Sequence, residues 1–188
     1  MNNIVNQLQT IIAVFNADLP FMLGFIGLLW AIQFLNVFLH YRLNVLGLYP
    51  RSAPGLLGIL CMPFLHGNFN HLILNSIPLF VFGSFLLLGG HQQFFHVSGI
   101  IIILSGILVW LFGRKAIHIG ASGLVMGYFS YLIIQAYYHP DVLAIGIAVT
   151  SVYYFGSLFL GLFPGEIKTS WEGHLFGFIA GIAAVFLT

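Results

Sequence analysis

Residues Phe69–Leu88 read FNHLILNSIPLFVFGSFLLL, with no Asp, Glu, Lys or Arg among them. A helix needs about 20 mainly apolar residues to cross the ~30 Å hydrocarbon layer of a bilayer. This run has that length, so it reads as a membrane span. It nevertheless carries His71 and Asn75 near its start, four residues apart and therefore on one helix face. Polar groups inside a bilayer are costly to hold and mark function by default. One stretch thus points both to the fold and to a site within it.

The rest of the chain agrees. Of its 188 residues, 60% are hydrophobic and 5% are charged, with a formal net charge of +1. Soluble domains carry roughly 25% charged residues, so a soluble enzyme and a disordered tail are both excluded. Five scattered cations do not make the basic surface that nucleic-acid binding requires. The one thiol, Cys61, allows neither an internal disulfide nor a thiolate zinc cage. No Lys or Arg occurs in the first ten residues, so no cleavable signal peptide is expected.

Further apolar runs predict spans over Leu19–Leu39, Phe94–Phe112, Ala121–Tyr138, Val142–Phe163 and Trp171–Leu187. The breaks between them are rich in Gly, Pro and polar residues, as at Gly89-Gly90-His91-Gln92-Gln93 and Pro164-Gly165-Glu166-Ile167-Lys168. The expectation is an all-α, polytopic six-helix domain over residues 19–188, preceded by an N-terminal surface segment over residues 1–18. The stretch from His40 to Asn70 fits no span. Its core, Gly55–Leu65, is too short to cross and too apolar for a free loop, so it is expected to lie half submerged at the membrane interface.

Alternating spans start from the same side, so polar groups near the starts of the second, fourth and sixth should share one depth. These are His71 and Asn75, then Ser122, then His174. Glycines flank them at a spacing of four: Gly123 and Gly127 on the fourth span, and Gly173, Gly177 and Gly181 on the sixth. Small residues at that spacing let helix backbones approach closely in membranes. Packing through those faces would bring the Ser122 hydroxyl and the His174 imidazole within hydrogen-bond reach. A serine hydroxyl is a weak nucleophile until an adjacent base takes its proton. Acyl transfer also needs donors aimed at a developing oxyanion. Asn75, His71 and the backbone N–H of Ser122 are the candidates. No third triad member is evident: Asp18 and Asp141 belong to the opposite side, and Glu172 lies on another face from His174. The pattern is that of a Ser–His dyad.

At these residues the chain resembles the rhomboid intramembrane serine proteases. His66-Gly67-Asn68-Phe69-Asn70-His71-Leu72-Ile73-Leu74-Asn75 is similar to the family's H-x4-H-x3-N element. Gly120-Ala121-Ser122-Gly123, followed by Gly127, is similar to its G-x-S-G motif. Gly173-His174-Leu175-Phe176-Gly177, followed by Gly181, is similar to its G-H-x-x-G-x3-G helix. The resemblance implies a six-helix rhomboid bundle with a membrane-embedded first loop, Ser122 as nucleophile and His174 as general base. It implies that His71 and Asn75, with the Ser122 amide, line the oxyanion hole. The fifth span and the loop around Glu166 would form a side gate for a substrate helix. The implied reaction is hydrolysis of a peptide bond in or beside a transmembrane helix of another protein, without metal, ATP or other cofactor. Three positions depart from the family pattern. Leu57-Gly58 stands where a Trp-Arg pair is common, Phe85–Leu88 lacks an acid, and Met126 stands where many bacterial members have Tyr.

Other classes fit less well. His66/His71 and His91/His96 flank opposite ends of the second span, roughly 30 Å apart, and cannot share one ion. His40, His91, His96, His118 and His139 read as interfacial caps, while His66 either fixes the loop or caps the second span. A transporter would show paired intramembrane charges, broken helices or repeats. A catalytically silent rhomboid-like protein that binds membrane segments is the alternative. The family topology implies a bacterial inner membrane with the site toward its outer face. The positive-inside rule points the other way, since Arg42, Arg51, Arg114, Lys115 and Lys168 all fall on the site's side.

Overall fold

Two of the bundle's six spans, those that carry Ser122 and His174, are too short to cross a bilayer alone. In a computed structural model, which describes residues 2–163 and 170–188, the helices are α1 (Asn2–Phe38), α2 (Gly58–Cys61), α3 (Phe69–Leu87), α4 (His91–Phe112), α5 (Ser122–Tyr138), α6 (Val142–Phe155) and α7 (Trp171–Val185). All but the single-turn α2 belong to the bundle. Among the described residues, four segments are long and apolar enough to span: Ile11–Phe38, Phe69–Leu87, His91–Phe112 and Val142–Leu162. The chain is an integral membrane protein. At 1.5 Å per residue, α5 with 17 residues and α7 with 15 are only about 25 Å and 22 Å long. They are tolerated because the other helices shield them. Gly123–Leu132 of α5 is buried throughout, whereas α6 buries only Ser151 among its described residues.

α5 and α7 form the most extensive helix pair, and glycine makes it possible. A Cβ placed on Gly177 would overlap the Gly123 carbonyl, and one on Gly181 would overlap the Gly127 carbonyl. Backbone therefore lies directly on backbone. Ser130 Oγ bridges the pair, donating to the Phe178 carbonyl at 2.7 Å. α1 leans on α3, where Trp30 Nε1 donates to Ser76 Oγ at 3.2 Å. Near the middle of α1, Asp18 pairs with His91 at 3.0 Å. α1 runs without a break from Asn2 to Phe38, through residue 18.

The segment between α1 and α3 is a string of short helical turns, embedded as its composition implies. Leu56, Leu57 and Leu60 are exposed, while Ile59 and Met62 pack with Leu48 and Val109 of α4. One side is exposed and apolar and the other is packed on protein, the division expected of a segment half submerged at a membrane interface. Its anchors are hydrogen bonds to the end of α4. Arg51 Nη1 donates to the Leu111 carbonyl at 2.9 Å, and Trp110 Nε1 to the Ser52 carbonyl at 2.9 Å. These contacts hold the loop although Leu57-Gly58 stands where the resemblance leads one to expect a Trp-Arg pair. The fifth span is not one α-helix, because it tightens into a 3₁₀ segment over Gly156–Leu162. Residues 164–169, including Glu166 and Lys168 of the expected side gate, lie outside the described residues.

Candidate active site

α3, α5 and α7 start on one side of the bundle, and each carries its polar candidate within the first two turns. α3 begins where Asn68 caps it, the side chain accepting from the His71 N–H at 2.8 Å. Such a cap fixes the helix start, and with it the positions of His71 and Asn75. α5 begins at Ser122, directly after a turn at Gly120 with φ of +119°. An L side chain rarely adopts that backbone. Space forbids one as well: a Cβ on Gly120 would stand 2.7 Å from His71 Nε2 and 3.6 Å from Asn75 Nδ2. The serine turn thus lies against both α3 side chains.

Two loop contacts hold the turn there. The Gly120 N–H donates to the Met62 carbonyl at 2.9 Å, and the Ala121 N–H donates to His66 Nε2 at 3.4 Å. His66 is fully buried and its ring meets that of His71 edge-on at 5.2 Å. Of the two roles open to His66, the structure shows the loop anchor, since Asn68 caps α3. Because Nε2 accepts, Nδ1 carries the proton, and that atom has no well-formed hydrogen bond among the described residues. Burial, aided by the charge His71 would carry, pushes the His66 pKa down to about 4.

His174 follows Gly173 in the first turn of α7, and Gly173 abuts α5. A Cβ on Gly123, the residue after Ser122, would stand 3.2 Å from the Gly173 carbonyl oxygen. The serine and the histidine therefore occupy neighbouring positions at one helix crossing. Ser122 and His174 are not hydrogen-bonded to each other in this conformation. The imidazole is tied on its other side, Nδ1 lying 2.9 Å from the Gly161 carbonyl oxygen. A carbonyl only accepts, so Nδ1 carries the hydrogen and neutral His174 keeps its Nε2 lone pair. That is the tautomer a general base for Ser122 needs. Nothing in the sequence singles out Gly161, because its contribution is a backbone atom.

Asn75 completes the set. It is buried, and its Nδ2 donors have no partner among the described residues. Buried polar atoms are nearly always paired, and an exception calls for a reason. A donor left open beside the serine turn is what an oxyanion hole requires before substrate arrives. Met126 is also buried. His118, expected as an interfacial cap, is instead 2% exposed: the loop folds inward and carries it beneath α7.

A rhomboid domain is matched over residues 54–188. The chain belongs to the rhomboid family. Rhomboids are in general intramembrane serine proteases. Mycobacterial proteins are similar over most of the chain, and each is described only as an uncharacterized protein. One from Mycobacterium tuberculosis is 35% identical over 175 residues, covering 88% of this rhomboid and 73% of the relative. One from Mycobacterium bovis matches with the same identity and coverage. One from Mycobacterium leprae is 33% identical over 178 residues, covering 88% of this chain and 69% of its own.

Proposed function

We propose that this rhomboid is an intramembrane serine endopeptidase that cleaves peptide bonds in or next to transmembrane helices of other membrane proteins. Ser122 Oγ attacks the scissile carbonyl while His174 Nε2 takes its proton. The carbonyl oxygen, now an anion, is received by Asn75 Nδ2, by His71 Nε2 if that nitrogen bears hydrogen, and by the Ser122 amide. That amide is unpaired because it opens a helix. His174 then returns its proton to the leaving nitrogen. Water hydrolyses the acyl-enzyme, with His174 as base a second time. The Gly161 carbonyl serves where a triad would place a carboxylate, keeping the imidazole in one tautomer.

The observation that carries this reading is the open, buried amide of Asn75 beside the serine turn. One observation favours a second reading, a silent protein that binds membrane segments: Ser122 and His174 are not hydrogen-bonded. Catalytic contacts are often long before substrate binds, so the endopeptidase reading is preferred. Purified protein in detergent, treated with a fluorophosphonate probe and given a transmembrane model substrate, separates the two. Labelling at Ser122 and cleavage are expected, both lost in Ser122→Ala. Asn75→Ala is expected to lower the rate by about 10²–10³, the usual loss of one oxyanion donor. Cleavage by Ser122→Ala at the wild-type rate would sink the proposal.

A further inference from the structure

Two buried titratable side chains take no part in that chemistry. His118 is 2% exposed and Glu172 is 4% exposed, in a chain with four acids. They lie together where the loop that delivers Ser122 meets the start of the helix that delivers His174. Arg114 Nε pairs with Glu172 Oε1 at 3.4 Å, and the Arg114 backbone N–H also approaches that oxygen at 3.4 Å. His118 Nε2 lies 3.1 Å from the Arg114 carbonyl oxygen, and its Nδ1 lies 2.6 Å from Ser170 Oγ.

The donors can be assigned. A carbonyl only accepts, so the His118 hydrogen is on Nε2 and Nδ1 must accept. The Ser170 hydroxyl therefore donates to Nδ1. The Ser170 oxygen in turn accepts from the Gly173 N–H at 3.4 Å, capping α7. A one-way chain results, from Gly173 N–H to Ser170 to His118 to the Arg114 carbonyl. Its first member adjoins His174. His118 itself stands two positions before Gly120, and its backbone is paired in both directions with Leu48 of the embedded loop, at 2.8 and 3.0 Å. Neutral His118 is the form this chain uses, and burial, reinforced by the Arg114 charge and opposed by the Arg114 carbonyl and Glu172, pushes its pKa down.

We infer that His118 and Ser170, braced by the Arg114–Glu172 pair, are positioning residues that hold the serine loop in register with the base helix. The inference rests on the endopeptidase reading. Glue between α4 and α7 alone would not need to join the two segments that carry the reacting groups. Misplacing such groups by about 1 Å costs on the order of a hundredfold in rate. The buried carboxylate thus steadies the loop, while a backbone carbonyl orients the base.

The test compares His118→Asn, whose side-chain oxygen can replace the Nδ1 acceptor, with His118→Gln, which reaches only the Nε2 position, and with Ser170→Ala. The full chain in detergent is assayed for the labelling rate at Ser122, for kcat and KM on a transmembrane substrate, and for its unfolding midpoint. His118→Gln and Ser170→Ala are expected to lose about a hundredfold in labelling rate and kcat with KM nearly unchanged. His118→Asn is expected to retain most of both. The double variant His118→Gln/Ser170→Ala should melt no lower than the weaker single one, because the two residues share one bond. Wild-type rates in His118→Gln, equal losses in Asn and Gln, or additive midpoint losses would each overturn the inference while leaving the labelled wild type as an enzyme. An unlabelled wild type refutes the endopeptidase reading, and the positioning role falls with it.

Discussion

His66 shows how one buried imidazole sets a pH limit on the fold. It accepts the Ala121 N–H as a neutral ring, and burial holds its pKa near 4, below the ordinary 6.5. In the unfolded chain the ring regains the ordinary value, so as pH falls the unfolded state binds its proton first. The stabilisation is therefore whole above about pH 6.5 and is lost progressively toward pH 4, by on the order of 3 kcal/mol. His118, also shifted down, adds a loss of the same sign, so the informative quantity is the difference between two proteins. His66→Gln keeps an acceptor for Ala121 but cannot titrate. Its unfolding midpoint in detergent is expected to fall less between pH 6.5 and 4 than that of the wild type. Identical pH profiles would show that His66 titrates alike in both states. The sequence left the role of His66 open, since a histidine before a helix looks the same whether it caps or anchors. Only the path of the chain from Met62 to Ala121 decides it.

Among elements, the α5–α7 crossing is the one the whole site depends on. The glycine spacing made it legible in sequence, because two carbonyls can enter the opposite helix only where Cβ atoms are missing. Gly177→Val would drive its Cβ into the Gly123 carbonyl and add two methyls beside it. Overpacking a tight interface costs roughly 1–3 kcal/mol, and here relief requires moving Ser122 away from His174. A lowered unfolding midpoint and a loss of cleavage are expected together, and a Gly177→Val variant of full stability and activity would refute the packing account. The fifth span was less legible. Its hydropathy predicts one helix to Phe163, yet the α-helix stops at Phe155 and a 3₁₀ segment follows. Gly156 and Gly161 weaken the helix locally, and the final carbonyls of a helix have no partners of their own. One of these, at Gly161, meets His174. Hydropathy averages over such a segment and is blind to both the change of pitch and the backbone contact. The anchors of the embedded loop escaped for the same reason: Arg51 and Trp110 act on carbonyls that any residue would supply.

For the whole molecule, the open question of charge is which way the bundle faces. The sequence assigns all five cations to the site's side, four of them (Arg42, Arg51, Arg114 and Lys115) among the described residues, and counted alone they would draw that side toward the cytoplasm. The structure alters their weight. Arg51 is bonded to the Leu111 carbonyl and Arg114 to Glu172, so two of the five have folding roles that account for their presence without reference to membrane potential. An interfacial cation is worth only about 1 kcal/mol in attraction to an anionic leaflet, a small bias against the route the whole bundle takes during insertion. We therefore expect the site to face the outer side of the membrane. The six bundle helices leave residues 2 and 188 on the side opposite the site, which in this expected orientation is the cytoplasmic one. A fluorescent protein that matures only in the cytoplasm, fused after Thr188, should then fluoresce, while a phosphatase active only outside should stay silent at the same position. The reverse pattern would place Ser122 at the cytoplasmic face, and the substrates would then be membrane proteins whose susceptible helix end lies inside the cell.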